Sequence, residues 1–554
     1  MKQIVIVISF ALAFALPAAS VRGETGTSQF FTNGVVTDWG RANLYVGNTG
    51  PNNYLQISNG SGLTNAGFCY IGNSSNANQN TLLVSDTNSV FKGTLFATGL
   101  YIGNSGSDNQ FVVSNGAVAT IGPGYMGRQV GADHNAALIS GSGSIWSNDI
   151  IYVGWSGAGT SVTIQHQGRM VTQFGFIVLG YQPSSSNNIV TISDTGSVWT
   201  TGSSPSIGYY GAGNQMVITN GGLMTVRSVD SSWLGYYSNA NQNAVLVTGN
   251  GSEWDAGVAI NLGNYGASNR VDVLAGALVQ AQNVILGINP SSTDNRFTVD
   301  QSTLAVSNTF HNGTLEVRRG TFNFNSGTVT TEALVLTNAT QGVFQFSGGW
   351  LATSASTVTA GSVFTVGDGI DAATYHLLGG VHTFNDGLRV RHNATLSGCG
   401  TISGAVVVDA GGAIVADCGG TLTFGGSVTN NGTMRAIDGS VLESYGTVVN
   451  NGVIDIINGG ATQFHRGVLN NGAILDASSV RVSNTAISGN DITIQITSAT
   501  NHTYQLQASP SLAPTNWVNT GASQAGTAGV LTFTEHGGET NGPSRFYRIA
   551  VTAP

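Results

Sequence analysis

Tyr101-Ile102-Gly103-Asn104-Ser105-Gly106-Ser107-Asp108-Asn109-Gln110-Phe111-Val112-Val113 is the stretch whose reading decides the fold. A short apolar strand ends at Gly103. A run of Asn, Ser and Gly then turns the chain, and Asn109 opens a second apolar strand. The pattern recurs. Its first strand returns as Tyr45-Val46-Gly47, Tyr70-Ile71-Gly72, Tyr125-Met126-Gly127, Tyr152-Val153-Gly154 and Val178-Leu179-Gly180, and the glycine continues at Gly208, Gly235, Gly263 and Gly287. The opening Asn returns at Asn53, Asn80, Asn135, Asn188, Asn214, Asn243, Asn269 and Asn295, with Thr160 as the exception. Residues of β type, punctuated by Gly and Asn, predict strands and turns. A period between 20 and 50 residues predicts a solenoid. The expected fold is all-β: a parallel β-helix of stacked coils, followed by a small β-sandwich.

Composition agrees with this reading and excludes others. Charged residues are 8% of the chain, far below the share in an ordinary soluble domain. Hydrophobic residues are 41%, ample for a core, and regularly spaced. The surface must therefore be covered by Ser, Thr, Asn and Gly. A net charge of -9, with Lys confined to Lys2 and Lys92, argues against nucleic acid, which demands clustered cations. Lys2, the apolar run Ile4 to Leu16 and the small residues Ala18-Ala19-Ser20 form the pattern of a secretory signal peptide over residues 1–23. No apolar run of spanning length follows it, so the mature chain is expected to have no transmembrane segment.

Taken in order, residues 24–43 are a lead-in or cap and residues 44–299 form the solenoid of 27-residue coils. Alternate coils carry a large aromatic in a third strand, at Phe91, Trp146, Trp199 and Trp254, with Val118, Met170 and Leu278 expected at the matching place in the coils between. The true unit is thus a two-coil repeat in which large and small side chains interdigitate as core. The Asn column serves the turns, and the sequence leaves open whether its amides also bond along the axis as a ladder or do no more than turn the chain. Residues 300–395 keep strands but lose the strict repeat. Residues 396–488 take a tighter period, marked by Asn430-Asn431-Gly432, Asn450-Asn451-Gly452 and Asn470-Asn471-Gly472. Cys399 and Cys418 are about one such rung apart, within disulfide reach, and the sequence leaves paired and free thiols both open. From residue 489 to 554 short strands predict the separate β-sandwich.

The Tyr-Ile-Gly-Asn and Ser-Asn-Gly-Ala repeats, with the Asn-Asn-Gly rungs, resemble the β-solenoid regions of secreted bacterial autotransporter-associated repeat proteins. The C-terminal pattern Tyr504-Gln505-Leu506-Gln507, Asn516-Trp517 and Arg545-Phe546-Tyr547-Arg548 is similar to a small terminal β-domain found on such proteins. The resemblance implies a secreted, adhesin-like or structural protein at the cell surface, with an extracellular glycan or cell-surface component as partner. It brings no catalytic residue and no cofactor. The last segment is too short for the translocator barrel of true autotransporters.

Gly122-Pro123-Gly124-Tyr125-Met126-Gly127 matches a dinucleotide-binding spacing, but nothing around it reads as a strand–turn–helix unit, and Gly127 already belongs to the repeat. No metal site is expected. The densest ionisable patch is Asp368, Asp371, His376, His382, Asp386, Arg389, Arg391 and His392. A β-helix can host a polysaccharide lyase or glycoside hydrolase, and such groups would serve one if they converged in a cleft. The structural alternative, preferred here, stacks Asp371 beside Arg391 as a surface ion pair, so no residue is assigned as catalytic. The candidate binding residues are Trp155, Tyr181, Tyr209 and Tyr236. Each directly follows a repeat glycine in four successive coils, which places an aromatic column at one turn corner. Such a column either stabilises the stack or meets the apolar faces of a sugar chain.

Overall fold

The structure is a computed structural model that describes residues 28–32, 34–93, 98–337, 341–476, 479–500, 502–514, 516–540 and 544–552. The expected signal peptide lies outside the described residues. The chain is all-β, and its coordinates divide into two compact units, Met1–Gln280 with Asn289–Ser292 and Ala281–Ile288 with Thr293–Pro554.

In the first unit every coil contributes three strands, and each pairs in parallel with its counterpart one coil away. Leu44–Val46, Cys69–Ile71, Leu100–Ile102, Gly124–Met126 and Ile151–Val153 form one ladder, with Val46 opposite Ile71 and Ile71 opposite Ile102. The Asn-opened strands form a second, in which Gln110–Ser114 lies between Thr81–Ser85 and Ala136–Ser140. A third holds the large aromatics. Parallel neighbours need a long crossover, and here the rest of the coil supplies it. The lead-in joins the stack early: Ser28–Phe31 pairs with Tyr54–Ile57, and Val36–Asp38 with Gly62–Thr64. The dinucleotide-like stretch is simply the strand Gly124–Met126.

The aromatics fill the core as the two-coil repeat requires. Phe91, Trp146, Trp199 and Trp254 are fully buried. Of their small-coil partners Met170 stands where expected, and the other two differ by one residue. Trp146 stands between Ala119 and Met170, and Trp254 pairs with Val279. Val118 and Leu278 point outward, half-buried, because strand alternation sends their neighbours inward.

The Asn column is a buried hydrogen-bond ladder. The backbone N–H and the side-chain amide of Asn214 both donate to Asn243 Oδ1, at 2.8 and 3.1 Å. Asn80 does the same to Asn109, Asn109 to Asn135, Asn188 to Asn214 and Asn243 to Asn269. The repeat glycine exists for this ladder. Gly208 has φ of 73°, and a Cβ there would lie 2.1 Å from the Asn243 amide nitrogen. Glycine thus provides the left-handed turn and leaves room for the next coil's amide.

The second unit has shorter coils. Gly320–Phe324 pairs with Gly342–Phe346, and the rings of Phe297, Phe322 and Phe344 stack at 5.2 and 4.9 Å. In the tight rungs buried Asn430 and Asn450 repeat the ladder, which ends at exposed Asn470, while Asn431, Asn451 and Asn471 build an exposed one beside it. Cys399 and Cys418 are joined as a disulfide, with Cα atoms 6.0 Å apart. The strand Val482–Ser488, which the rung period would place in the solenoid, pairs antiparallel with Asp491–Thr497. It lacks the Asn-Asn-Gly corner that a rung needs. With Val530–Glu535 it makes one sheet of the small β domain; Thr503–Ser509 and Phe546–Thr552 lie in the other. Ile494, Ile496, Tyr504, Leu506, Leu531 and Phe533 form their shared core. Buried Asp455 on a rung accepts from His502 Nε2 at 2.9 Å and from Arg435 Nε at 3.2 Å, which ties this domain to the rungs. Among the described residues no helix is long and apolar enough to cross a membrane.

Candidate binding surface

Trp155, Tyr181, Tyr209 and Tyr236 come together. All four are half-buried and sit at one corner, each following a left-handed glycine. Trp155 and Tyr181 have ring centroids 4.4 Å apart, Tyr181 and Tyr209 5.4 Å, and Tyr209 and Tyr236 5.0 Å. The last two pairs are near parallel, at 17° and 12°. Both faces of Tyr209 are therefore covered by its neighbours. The column presents ring edges and hydroxyls outward, rather than the open faces that a flat sugar-stacking platform requires.

The column is one end of a longer ribbon. In Leu44–Val46 and its counterparts the first and last residues point inward, so the central Tyr points out. Tyr45, Tyr70, Tyr101, Tyr125 and Tyr152 stack one on the next at 5.2, 4.8, 4.9 and 5.6 Å. At Tyr152 the ribbon changes lane. Trp155 lies 4.5 Å from Tyr152, and Tyr181 meets Tyr152 edge-on at 5.2 Å. In the next coils the strand position becomes Val178 and Ser206, and the ring moves to the corner. Before the change the corner holds Asn48, Asn73 and Asn104, hydrogen-bonded in series. The ring passes from strand to corner without a gap, and the coil of the lane change holds both Tyr152 and Trp155. Tyr210 and Tyr237 add a second, parallel lane at 4.1 Å, and Trp233 packs edge-on against Tyr236. The strand tyrosines escaped the sequence reading, although their place between two inward residues was a signal for them.

The electrostatics of the ribbon are those of neutral phenols. Burial raises Tyr70 and Tyr101 and pushes Tyr152 up to about 12. Burial, and then a hydrogen bond with Tyr237, raises Tyr209. The Arg128 guanidinium carbon lies over the Trp155 ring, 4.3 Å from its centre.

The ionisable patch of the second unit does not converge. Asp368 Oδ1 accepts from the backbone of Ile370 and Asp371, and those bonds, more than Arg391 beside it, hold its carboxyl below the usual range. The pairing expected between Asp371 and Arg391 is replaced: Arg391 lies against Asp368 and Gly369, because Asp368 is the turn residue at that corner. Arg389 pairs with Asp409 one rung on, at 2.9 Å. His376 bonds Ser397 Oγ at 2.8 Å and packs tilted against Trp350, with ring centroids 4.9 Å apart. His382 is buried, with Nε2 donating to Gly379 O at 2.8 Å and Nδ1 facing Ser356 Oγ at 3.1 Å. Among the described residues no group of His, Cys, Asp and Glu could hold a metal ion.

Comparison of the chain with protein-family models and with curated proteins finds no match. The class defined by the fold is a parallel β-solenoid with a small antiparallel β domain, and its surface feature is the aromatic ribbon.

Proposed function

We propose that this chain is a secreted, non-catalytic β-solenoid that acts as a structural or adhesin-like element at the cell surface, and that Trp155, Tyr181, Tyr209 and Tyr236 contact an extended extracellular glycan. The observation that carries the reading is the register of the four rings. They occupy one corner in four successive coils, at a step close to the length of one sugar in an extended chain. Each contact is weak, and several in a row make a useful affinity. The disulfide Cys399–Cys418 supports an oxidising, exported destination. The charged patch is spent on separate local bonds, which leaves the carbohydrate-active alternative without a converging acid and base.

Two measurements test this. Fractionation of the producing cell should place the protein outside the cytosol with its disulfide formed; a reduced, cytosolic protein overturns the export reading. Glycan-array binding should fall by about tenfold when Tyr181 and Tyr209 are both changed to Ser. No glycan bound by the parent protein overturns the contact reading.

A further inference from the structure

We infer that the binding surface is the whole ribbon from Tyr45 to Tyr236, and that it recognises an uncharged, extended polysaccharide through a rail of phenol hydroxyls. This rests on the glycan reading above and deepens it.

Three observations converge. The first is continuity. Tyr45, Tyr70, Tyr101, Tyr125 and Tyr152 pass without a gap into Trp155, Tyr181, Tyr209 and Tyr236, and the lane change is what preserves the run. A stack needed only to fill one corner would have no reason to shift to a neighbouring position when the strand residue becomes Val178 and then Ser206.

The second is what the ribbon exposes. Stacking covers the ring faces of Tyr70, Tyr101, Tyr125 and Tyr209. The hydroxyls of Tyr70, Tyr101, Tyr125, Tyr181 and Tyr236 make no hydrogen bond to another described side chain or backbone group, and none of them is buried without a partner. They form a row at the spacing of the coils, roughly 4.8 Å. Each phenol both donates and accepts, which suits the hydroxyls and ring oxygens of a sugar chain. Tyr152 and Trp155 share a coil, so seven steps of that size make a site roughly 34 Å long.

The third is charge. The cation on the ribbon, Arg128, is laid over the Trp155 ring. The remaining groups are neutral phenols, and burial keeps Tyr70, Tyr101 and Tyr152 protonated well above neutral pH. A polyanion would gain little here.

The test is calorimetry on the full chain with cello-oligosaccharides of four and eight units, and with an eight-unit oligogalacturonide as the charged counterpart. The longer neutral chain should bind at least tenfold tighter than the shorter one and tighter than the charged one. Tyr101→Phe, which keeps the ring and removes the hydroxyl, should weaken the longer chain about threefold to tenfold, as should Tyr181→Phe, with the melting temperature unchanged in both. If the two lengths bind equally and only Tyr181→Phe matters, the site is confined to the corner column: the rail is overturned and the smaller site stands. If the charged chain binds tighter, neutrality is overturned. If neither length binds, the rail and the glycan reading fall together.

Discussion

Asn243 gives one side-chain oxygen to two donors of the preceding coil, the Asn214 backbone N–H and its amide. Replacing it with Ala would leave the buried Asn214 N–H without an acceptor and its amide with only the 3.3 Å bonds to Ser185 O and Ala212 O, at a cost of about 1–3 kcal/mol. The chain itself contains a partial version of that change. Thr160 stands in the column, its hydroxyl is buried without a partner, and it presents no amide carbonyl to Asn135. The Asn135 side chain turns instead to Ala132 O and Gly106 O. Thr160→Asn would complete the ladder and should stabilise the first unit by about 1 kcal/mol. Native-state hydrogen exchange at the Asn135 amide should slow in that variant, and unchanged exchange there would refute the account.

Among the strands of the aromatic core the three tryptophans are not equivalent. Trp199 Nε1 donates to Thr172 Oγ1 at 3.1 Å, while the indole N–H groups of Trp146 and Trp254 are buried without a partner. Phe91 already fills the same place in an earlier coil. Trp254→Phe should therefore cost about 1 kcal/mol less than Trp199→Phe, because only the second change strands a partner and gives up a made bond. Urea midpoints of the two variants measure the difference; equal losses would mean that ring volume alone decides the site. The alternation itself follows from packing. A Trp above a Trp would overfill a layer, and Ala119, Met170 and Met224 provide the relief.

For the whole molecule, scarcity of charge leaves the pH response to a few groups. Burial lowers His382 below its ordinary value, so the folded state favours the neutral ring. That contribution is complete above pH 6.5, the usual histidine value, and is lost as pH falls below it. At the other end burial raises Tyr70 and Tyr101 and takes Tyr152 and Tyr375 up to about 12. The unfolded chain releases these protons near pH 10, before the folded one does. Stability should hold below about pH 10 and decline from there toward 12. Circular dichroism against pH should show this alkaline loss, with Tyr152→Phe moving the midpoint upward.

The coil pattern, the glycine and Asn punctuation and the buried aromatics were legible in the sequence, because each expresses a local rule. Alternation sends Phe91 and Trp146 inward, a left-handed turn calls for glycine, and a buried amide calls for a partner at the same place in the next coil. What shares a surface was not legible. Coils differ in length, so Tyr152, Trp155 and Tyr181 become neighbours only once the hydrogen-bond ladders have set the register between coils. The sequence alone suggested one corner column of four rings. Tertiary stacking joined it to the strand tyrosines, covered the faces of Tyr70, Tyr101 and Tyr125 and left their hydroxyls without a protein partner, since the separation of paired strands, rather than distance along the chain, decides which rings touch.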